Sequence, residues 1–173
     1  MGGTDLDTQE TLPGKDASES RTEQVQILSP GTLNGYRRLF GGRLMEWIDV
    51  VAAVAARRHS NRNVTTAAVD SLDFTAPAYA NDTVVLVGEI TYTGRTSMEV
   101  RVRTYVEALD GTRRLINEAY VILVALDENE RPTPVPPLVC RTEAERAEFE
   151  AGRARSAERK RRRPGLKPQG FRA

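Results

Sequence analysis

The spacing of apolar residues changes once along this chain, from a helical repeat to an extended one. After the pair Gly41-Gly42, the residues Leu44, Ile48, Val51 and Ala55 recur three and four positions apart, which predicts one long buried helix. The two glycines open that helix and leave its first amides without side chains above them, so another group can approach unpaired N–H donors. From residue 64 the repeat shortens to two. The run 64–74 is rich in β-branched residues, and Val84, Leu86, Ile90 and Tyr92 then fall in step. Met98, Val100, Val102, Thr104 and Val106 alternate again, and Ile116, Tyr120, Ile122 and Val124 are expected on one face of a last strand. Asp110-Gly111 is a strong hairpin signal between the last two. Ahead of the helix, Val25, Ile27 and Leu28 mark a short strand closed by Pro30-Gly31. The predicted order is strand, long helix, then four antiparallel strands, an α+β architecture with the helix on one face of a twisted sheet. The second face and the sheet edges stay open, which predicts self-association.

The ends have a different character. Residues 1–23 are rich in Gly, Thr, Asp, Ser and Glu without periodicity and read as a disordered lead. Four prolines between residues 132 and 137 close the domain as an extended segment, which puts the folded unit at 24–139. Residues 140–173 read as a charged tail, helical from Thr142 to about residue 163 and otherwise disordered. Its start is acidic and its end basic, as the helix dipole favours. With so few apolar residues it is expected to be a solvated arm or to pack on a partner subunit.

Charge and cysteine content narrow the class. Lys and Arg total 25 against 24 Asp and Glu, so a generally basic nucleic-acid binder is not indicated, and the Arg153–Arg163 run is read as a solvated balance to the acidic segment. Cys140 is the single cysteine and has no partner for an intrachain disulfide. No signal peptide is legible, and no run approaches the roughly 20 apolar residues that span a bilayer. A cytoplasmic protein without membrane attachment is the expectation.

Within the helix one polar residue stands out. Asp49 follows Gly42 by seven residues, which places the two roughly 20° apart around the axis and about 10 Å apart along it. A carboxylate and the N-terminal amides therefore share a face, with Met45, Ala52, Ala53 and Ala56 beside them. The plainer reading of Asp49 is a polar residue where a helix meets solvent. Several catalytic schemes are absent: there is no Gly-x-Ser-x-Gly elbow and no Gly-x-x-x-x-Gly-Lys loop. The only histidine, His59, falls at the helix C-terminus and reads as a cap rather than a base. Cys140 reads as a bystander, and one Cys with one His makes a zinc site improbable.

Taken in order, however, these weak signals form a set. Asn34, Gly41-Gly42, Asp49, Ala55-Ala56-Arg57-Arg58-His59, Val64-Thr65-Thr66, Val69-Asp70-Ser71-Leu72-Asp73-Phe74, Gly94-Arg95-Thr96-Ser97-Met98-Glu99-Val100, Val124-Ala125-Leu126-Asp127 and Pro132-Thr133-Pro134-Val135-Pro136 resemble the acyl-CoA thioester hydrolase family. The likeness runs from about residue 26 to 139. It implies the hotdog fold, one long central helix wrapped by a curved antiparallel sheet. It further implies dimers with two sites at the subunit interface, a trimer of such dimers, and hydrolysis of acyl-CoA to CoA and fatty acid without metal or cofactor.

By position, Asp49 matches the carboxylate assigned to water activation and Asn34 the loop amide of the facing site. Gly41 and Gly42 match the pair that receives the thioester carbonyl, and Arg95, Thr96 and Ser97 match the turn near the CoA moiety. Thr65, or its neighbour Thr66, is the candidate for orienting the water. Asp49 and the helix amides lie too far apart to hold one small group directly. Either the substrate lies across this face or the two act from opposite subunits. Many members of the family carry Gly three residues after the loop Asn, where this chain has Arg37, followed by Arg38; the two cations are placed to attract CoA phosphates. A hotdog acyl-CoA-binding module without turnover is the competing reading, and the Asn34 and Asp49 pair speaks against it. A hydratase would need a histidine facing the acyl chain, where His59 is poorly placed.

Overall fold

A computed structural model describes residues 12–162 of the chain. In order, the elements are β1 (Lys15–Asp16), α1 (Ala17–Ser20), β2 (Thr22–Ile27), a 3-10 turn (Pro30–Thr32), α2 (Gly41–Ser60), β3 (Asn63–Phe74), β4 (Thr83–Thr93), β5 (Ser97–Glu107), β6 (Arg113–Leu126), β7 (Leu138–Val139) and α3 (Glu143–Arg162). Five of the strands form one antiparallel sheet in the order β2-β4-β5-β6-β3, curved around α2.

The long helix forms where the apolar repeat predicts it. Leu44, Ile48, Val51, Ala52, Ala55 and Ala56 are buried against the sheet, and each fully buried Leu, Ile or Val stabilises by about 1.5–3 kcal/mol. The helix stops because Asn61 takes a left-handed φ of 53° and returns its N–H to the Arg57 carbonyl. Close seating depends on Gly88 of β4, where a Cβ would come within 2.7 Å of Val51 Cγ1. Any larger residue there lifts α2 off the sheet.

The alternation expected for β5 holds, with Met98, Val100, Val102 and Thr104 all buried. Two other expectations are corrected by β-bulges. In β4 the register shifts between Ile90 and Tyr92, so Tyr92 pairs with Glu99 and faces away from α2. In β6 the register shifts beside Ile116, which enters the core, while Tyr120, Ile122 and Val124 lie on the outer face. A bulge adds one residue to a period of two, so every later side chain changes face.

Both ends of the chain also differ from expectation. Residues 1–11 lie outside the described residues, but the part of the 1–23 lead that is described carries structure. Lys15 and Asp16 pair in parallel with Leu138 and Val139, Ser20 is buried, and β2 begins at Thr22 rather than residue 24. Polar composition hid this because the segment is held by backbone pairing, not by its own apolar repeat. In the 140–173 tail, α3 is neither a solvated arm nor free for a partner along its first four turns. It packs on the outer face of its own sheet, where Phe149 meets Tyr92 at 5.1 Å between ring centroids and Arg155 stacks 4.0 Å above the Tyr120 ring. Residues 163–173 lie outside the described residues. No helix among the described residues is long and apolar enough to cross a membrane.

His59 is fully buried at the end of α2 and ties three segments together. Its Nε2 lies 3.1 Å from the Pro136 carbonyl oxygen and its Nδ1 3.4 Å from Ser20 Oγ. Burial, opposed in part by the Pro136 hydrogen bond, holds its pKa below the usual histidine value. A depressed folded-state pKa means that the unfolded chain binds the proton more readily, so the stabilisation is complete above the unfolded value and is lost as pH falls. Thermal melts are expected to show Tm declining from about pH 6.5 towards pH 5, and to lose that part of the slope in His59→Gln.

Gly152 marks the closest approach of α3. A Cβ there would lie 2.6 Å from Tyr92 Cβ and 2.8 Å from Glu99 Oε1. Gly152→Ala gains about 1 kcal/mol of helix propensity but meets an overpacking cost of about 1–3 kcal/mol. The backbone-proximal clash decides the sign, and the expected result is a lower Tm.

Candidate active site

Asp49 sits midway along α2 on the side the sheet does not cover. Its carboxylate is exposed, and Thr66 Oγ1 donates to Oδ1 at 2.6 Å. Among the described residues no other donor reaches the carboxylate, so Oδ2 is free for a water. Met45, Ile48, Val69, Leu72 and Val121 surround Asp49 in a cavity of about 190 Å³. The arrangement is a carboxylate with one oxygen fixed, at the rim of an apolar pocket. That is the form of a general base facing an apolar substrate segment.

Thr66, not Thr65, is therefore the partner of Asp49. Cross-strand neighbours share a face: Thr66 pairs with the core residue Leu123, whereas Thr65 pairs with Val124 on the outer face. The signal was available in the alternation, since Val64 packs inward and the next inward position is Thr66.

The second group of expected residues gathers at the start of α2. Asn34 Oδ1 accepts from the backbone N–H of Tyr36 at 2.9 Å and of Arg38 at 3.2 Å, closing a tight loop ahead of the helix. Arg37, inside that loop, has a φ of 60°, a conformation that favours glycine. No side chain caps α2, and Gly41 and Gly42 leave its first amides accessible beside the rings of Phe74 and Phe40. Asn34 lines a second cavity of about 320 Å³ with Arg38, Leu39, Leu44 and Phe74. Phe74 was not expected in the site, although it closes the Val69–Phe74 motif of the family resemblance.

Arg95, Thr96 and Ser97 form the β4–β5 turn, as expected, with Gly94 N donating to Ser97 O at 2.8 Å. Thr96 accepts from Ala125 N at 3.0 Å, and Ala125 pairs with Val64 just after α2 ends. The turn therefore lies at the opposite end of the sheet from Gly41, which touches Phe74 at the far end of β3. At about 3.3 Å per residue, the path between the two along β3 is at most about 35 Å.

Within one chain the structure unites Asp49 with Thr66, and Asn34 with the helix start. It does not unite these two clusters with each other, since their cavities share no lining residue, nor either of them with Arg95, Thr96 and Ser97. Met45 and Val69, at 47% and 49% exposure, are exposed apolar residues beside Asp49, with Val69 on the open β3 edge. Among the described residues no three His, Cys, Asp or Glu side chains are placed to hold a metal ion. Burial, followed by the charge of Glu145, pushes the Cys140 thiol up, which disfavours the thiolate.

Residues 36–110 match the family model of the thioesterase superfamily. The chain is 38% identical over 154 residues to the uncharacterized acyl-CoA thioester hydrolase YkhA of Bacillus subtilis, covering 88% of this chain and 90% of that one. A crystal structure of an apo-hexameric acyl-CoA thioesterase superposes with a TM-score of 0.83 at 39% identity, over 90% of this chain and all of that one. The acyl-CoA hydrolase of Staphylococcus aureus, solved with butyryl coenzyme A, coenzyme A and coenzyme A disulfide, gives a TM-score of 0.82 at 32% identity, over 87% of this chain and 92% of that one. Solved variants of that enzyme replace an Asn, an Asp and a Thr by Ala, in the same order and at the same sequence separations as Asn34, Asp49 and Thr66. With this identity over nearly the whole of these three relatives, and with the helix and five-stranded curved sheet in place, the chain belongs to the acyl-CoA thioester hydrolase family and has the hotdog fold.

Proposed function

We propose that the protein hydrolyses fatty acyl-CoA to CoA and a fatty acid, with Asp49 as general base and the amides at the start of α2 as oxyanion donors. The observation that carries this reading is the short Thr66–Asp49 hydrogen bond at the rim of an apolar cavity. In the step proposed, Asp49 Oδ2 takes a proton from water as the water oxygen bonds to the thioester carbonyl carbon. The N–H of Gly42 or Arg43 holds the resulting oxyanion. The C–S bond then breaks, and the CoA sulfur leaves with the proton. Water is the only co-reactant, and the reading calls for no metal or cofactor.

The separation of Asp49 from the amides by about 10 Å along the axis supports a site shared between two subunits. One copy supplies Asp49 and Thr66, and its partner supplies Gly42 and Asn34. The exposed Met45 and Val69 beside the β3 edge are the surface such a dimer would cover, at the edge where the sheet has unpaired backbone groups. A trimer of these dimers is the proposed assembly, in keeping with the hexameric relative. The exposed Arg95 turn would then face the phosphates of the CoA moiety.

The test is release of free thiol from acyl-CoAs of increasing chain length. Wild type is expected to turn over, and Asp49→Ala to lose about 10²- to 10⁴-fold in kcat while keeping its fold and assembly. Binding of acyl-CoA with no thiol release by the wild type would replace the enzyme with a non-catalytic acyl-CoA-binding module.

Arg37 gives a separate check on substrate capture. Arg37→Gly relieves a left-handed residue and is expected to stabilise by about 0.5–1 kcal/mol, read as a higher Tm. It also removes a cation from the loop, so kcat/KM falls at low ionic strength and the deficit shrinks as salt is added.

A further inference from the structure

α3 is fastened to the outer face of the sheet by a buried charge cluster. Glu99 of β5 has no exposed side-chain surface. Thr91 Oγ1 donates to its Oε1 at 2.9 Å, Arg155 Nη2 to the same oxygen at 2.8 Å, and Arg159 Nη1 to Oε2 at 3.0 Å. Glu148 joins the cluster, accepting from Arg155 Nη2 at 2.7 Å and from Tyr120 Oη at 3.0 Å. Arg159 Nη1 donates once more, to Asp70 Oδ2 of β3 at 2.7 Å. One guanidinium nitrogen thus ties a central strand to an edge strand, across the intervening β6.

Asp70 occupies an unusual place in that edge strand. Val69 pairs with Val121 and Ser71 with Tyr120, so Asp70 is the extra residue of a bulge and has no partner in the ladder. The bulge decides what faces Asp49. Val69 and Leu72 are three residues apart and would point to opposite faces of a regular strand. Because Asp70 is inserted between them, both pair with inward residues, Val121 and Ala119, and both line the cavity at Asp49. Within the subunit β3 has a ladder on one side only, so side-chain ties are needed to hold the bulge. The Arg159–Asp70 pair is shielded enough to do so, with side chains only 19% and 21% exposed.

We propose that Arg159 is a positioning residue for acyl-chain selection: by holding Asp70 it fixes the bulge that brings Val69 and Leu72 together as the wall of the cavity beside Asp49. The proposal rests on the reading of that cavity as the acyl-chain site. Neither Arg159 nor Asp70 touches the cavity, and each acts through the strand.

The experiment compares kcat/KM for acyl-CoAs from acetyl to palmitoyl in wild type, Arg159→Ala, Asp70→Asn and Arg159→Lys, alongside amide hydrogen exchange across residues 67–72. In Arg159→Ala and Asp70→Asn the ratio of long-chain to short-chain kcat/KM is expected to shift in the same direction by about fivefold or more, the scale of a few displaced methyl contacts in a pocket. Exchange across 67–72 is expected to quicken about tenfold while α2 stays protected, and Arg159→Lys, which keeps the charge, to retain the wild-type profile. A lower Tm with an unchanged chain-length profile would make Arg159 a structural tie only and overturn the proposal. If the wild type releases no thiol, the thioesterase reading fails on its own. The same comparison is then made with dissociation constants for the acyl-CoA panel, where an unchanged profile overturns the role of Arg159 and a shifted one upholds it.

Discussion

Everything in this molecule depends on how closely α2 can be pressed into the sheet. At Gly88 the strand offers no side chain, and Val51 and Ala55 of the helix fill the space that a Cβ would take. Protein interiors are packed densely enough that a single added carbon at such a point moves a whole element. Tight seating buries one side of the helix completely and fixes its rotation about its own axis. On the other side, Met45 and Asp49 must then face outward beside β3. The carboxylate is exposed because the buried face is so well determined.

A carboxylate on an open helix face is ordinarily just a solvated charge. Here it differs because β3 runs alongside and supplies Thr66 to one oxygen, with an apolar pocket next to the carboxylate. Two bulges in β3, one between Thr66 and Ala68 and one between Val69 and Ser71, give this edge strand its local bend and choose which residues look toward the helix. The outer face then enters the account. Burial opposes the charge on Glu148, yet hydrogen bonds from Arg155 and Tyr120 outweigh it and keep its carboxyl below the usual range. Those bonds help hold α3 against the sheet, and from α3 the side chain of Arg159 reaches β3. Features on opposite faces of one sheet are therefore linked through β3, which carries both Thr66 and Asp70.

Much of this was legible in the residues alone. The 3.6 and 2.0 periodicities located the helix and the main strands to within a few residues, since burial of one face imposes exactly those repeats on the sequence. Gly41-Gly42 and Asp49 could be picked out because each is a short-range feature, a bare helix start and a polar residue on an apolar helix, whereas Asn34 was marked only by the family resemblance. The face errors come from bulges, which turn Tyr92 away from Ile90 and part Ile116 from Tyr120, Ile122 and Val124. The choice between Thr65 and Thr66 needed only the inward alternation from Val64. Bulges depend on a partner strand, and nothing in the neighbouring residues records them.

The sequence by itself determined the long helix, the five main strands, their order and the family, because these follow from local periodicity and from residue types at fixed separations. Only the tertiary structure decided what lies against what. It ordered residues 15–23 through pairing with Leu138 and Val139, and it laid α3 on the outer face through Gly152, Phe149 and the Glu99 cluster. It also joined Asp70 to a residue 89 positions away in the chain. Such contacts depend on the summed geometry of several elements, and long-range distances are not written in any local pattern.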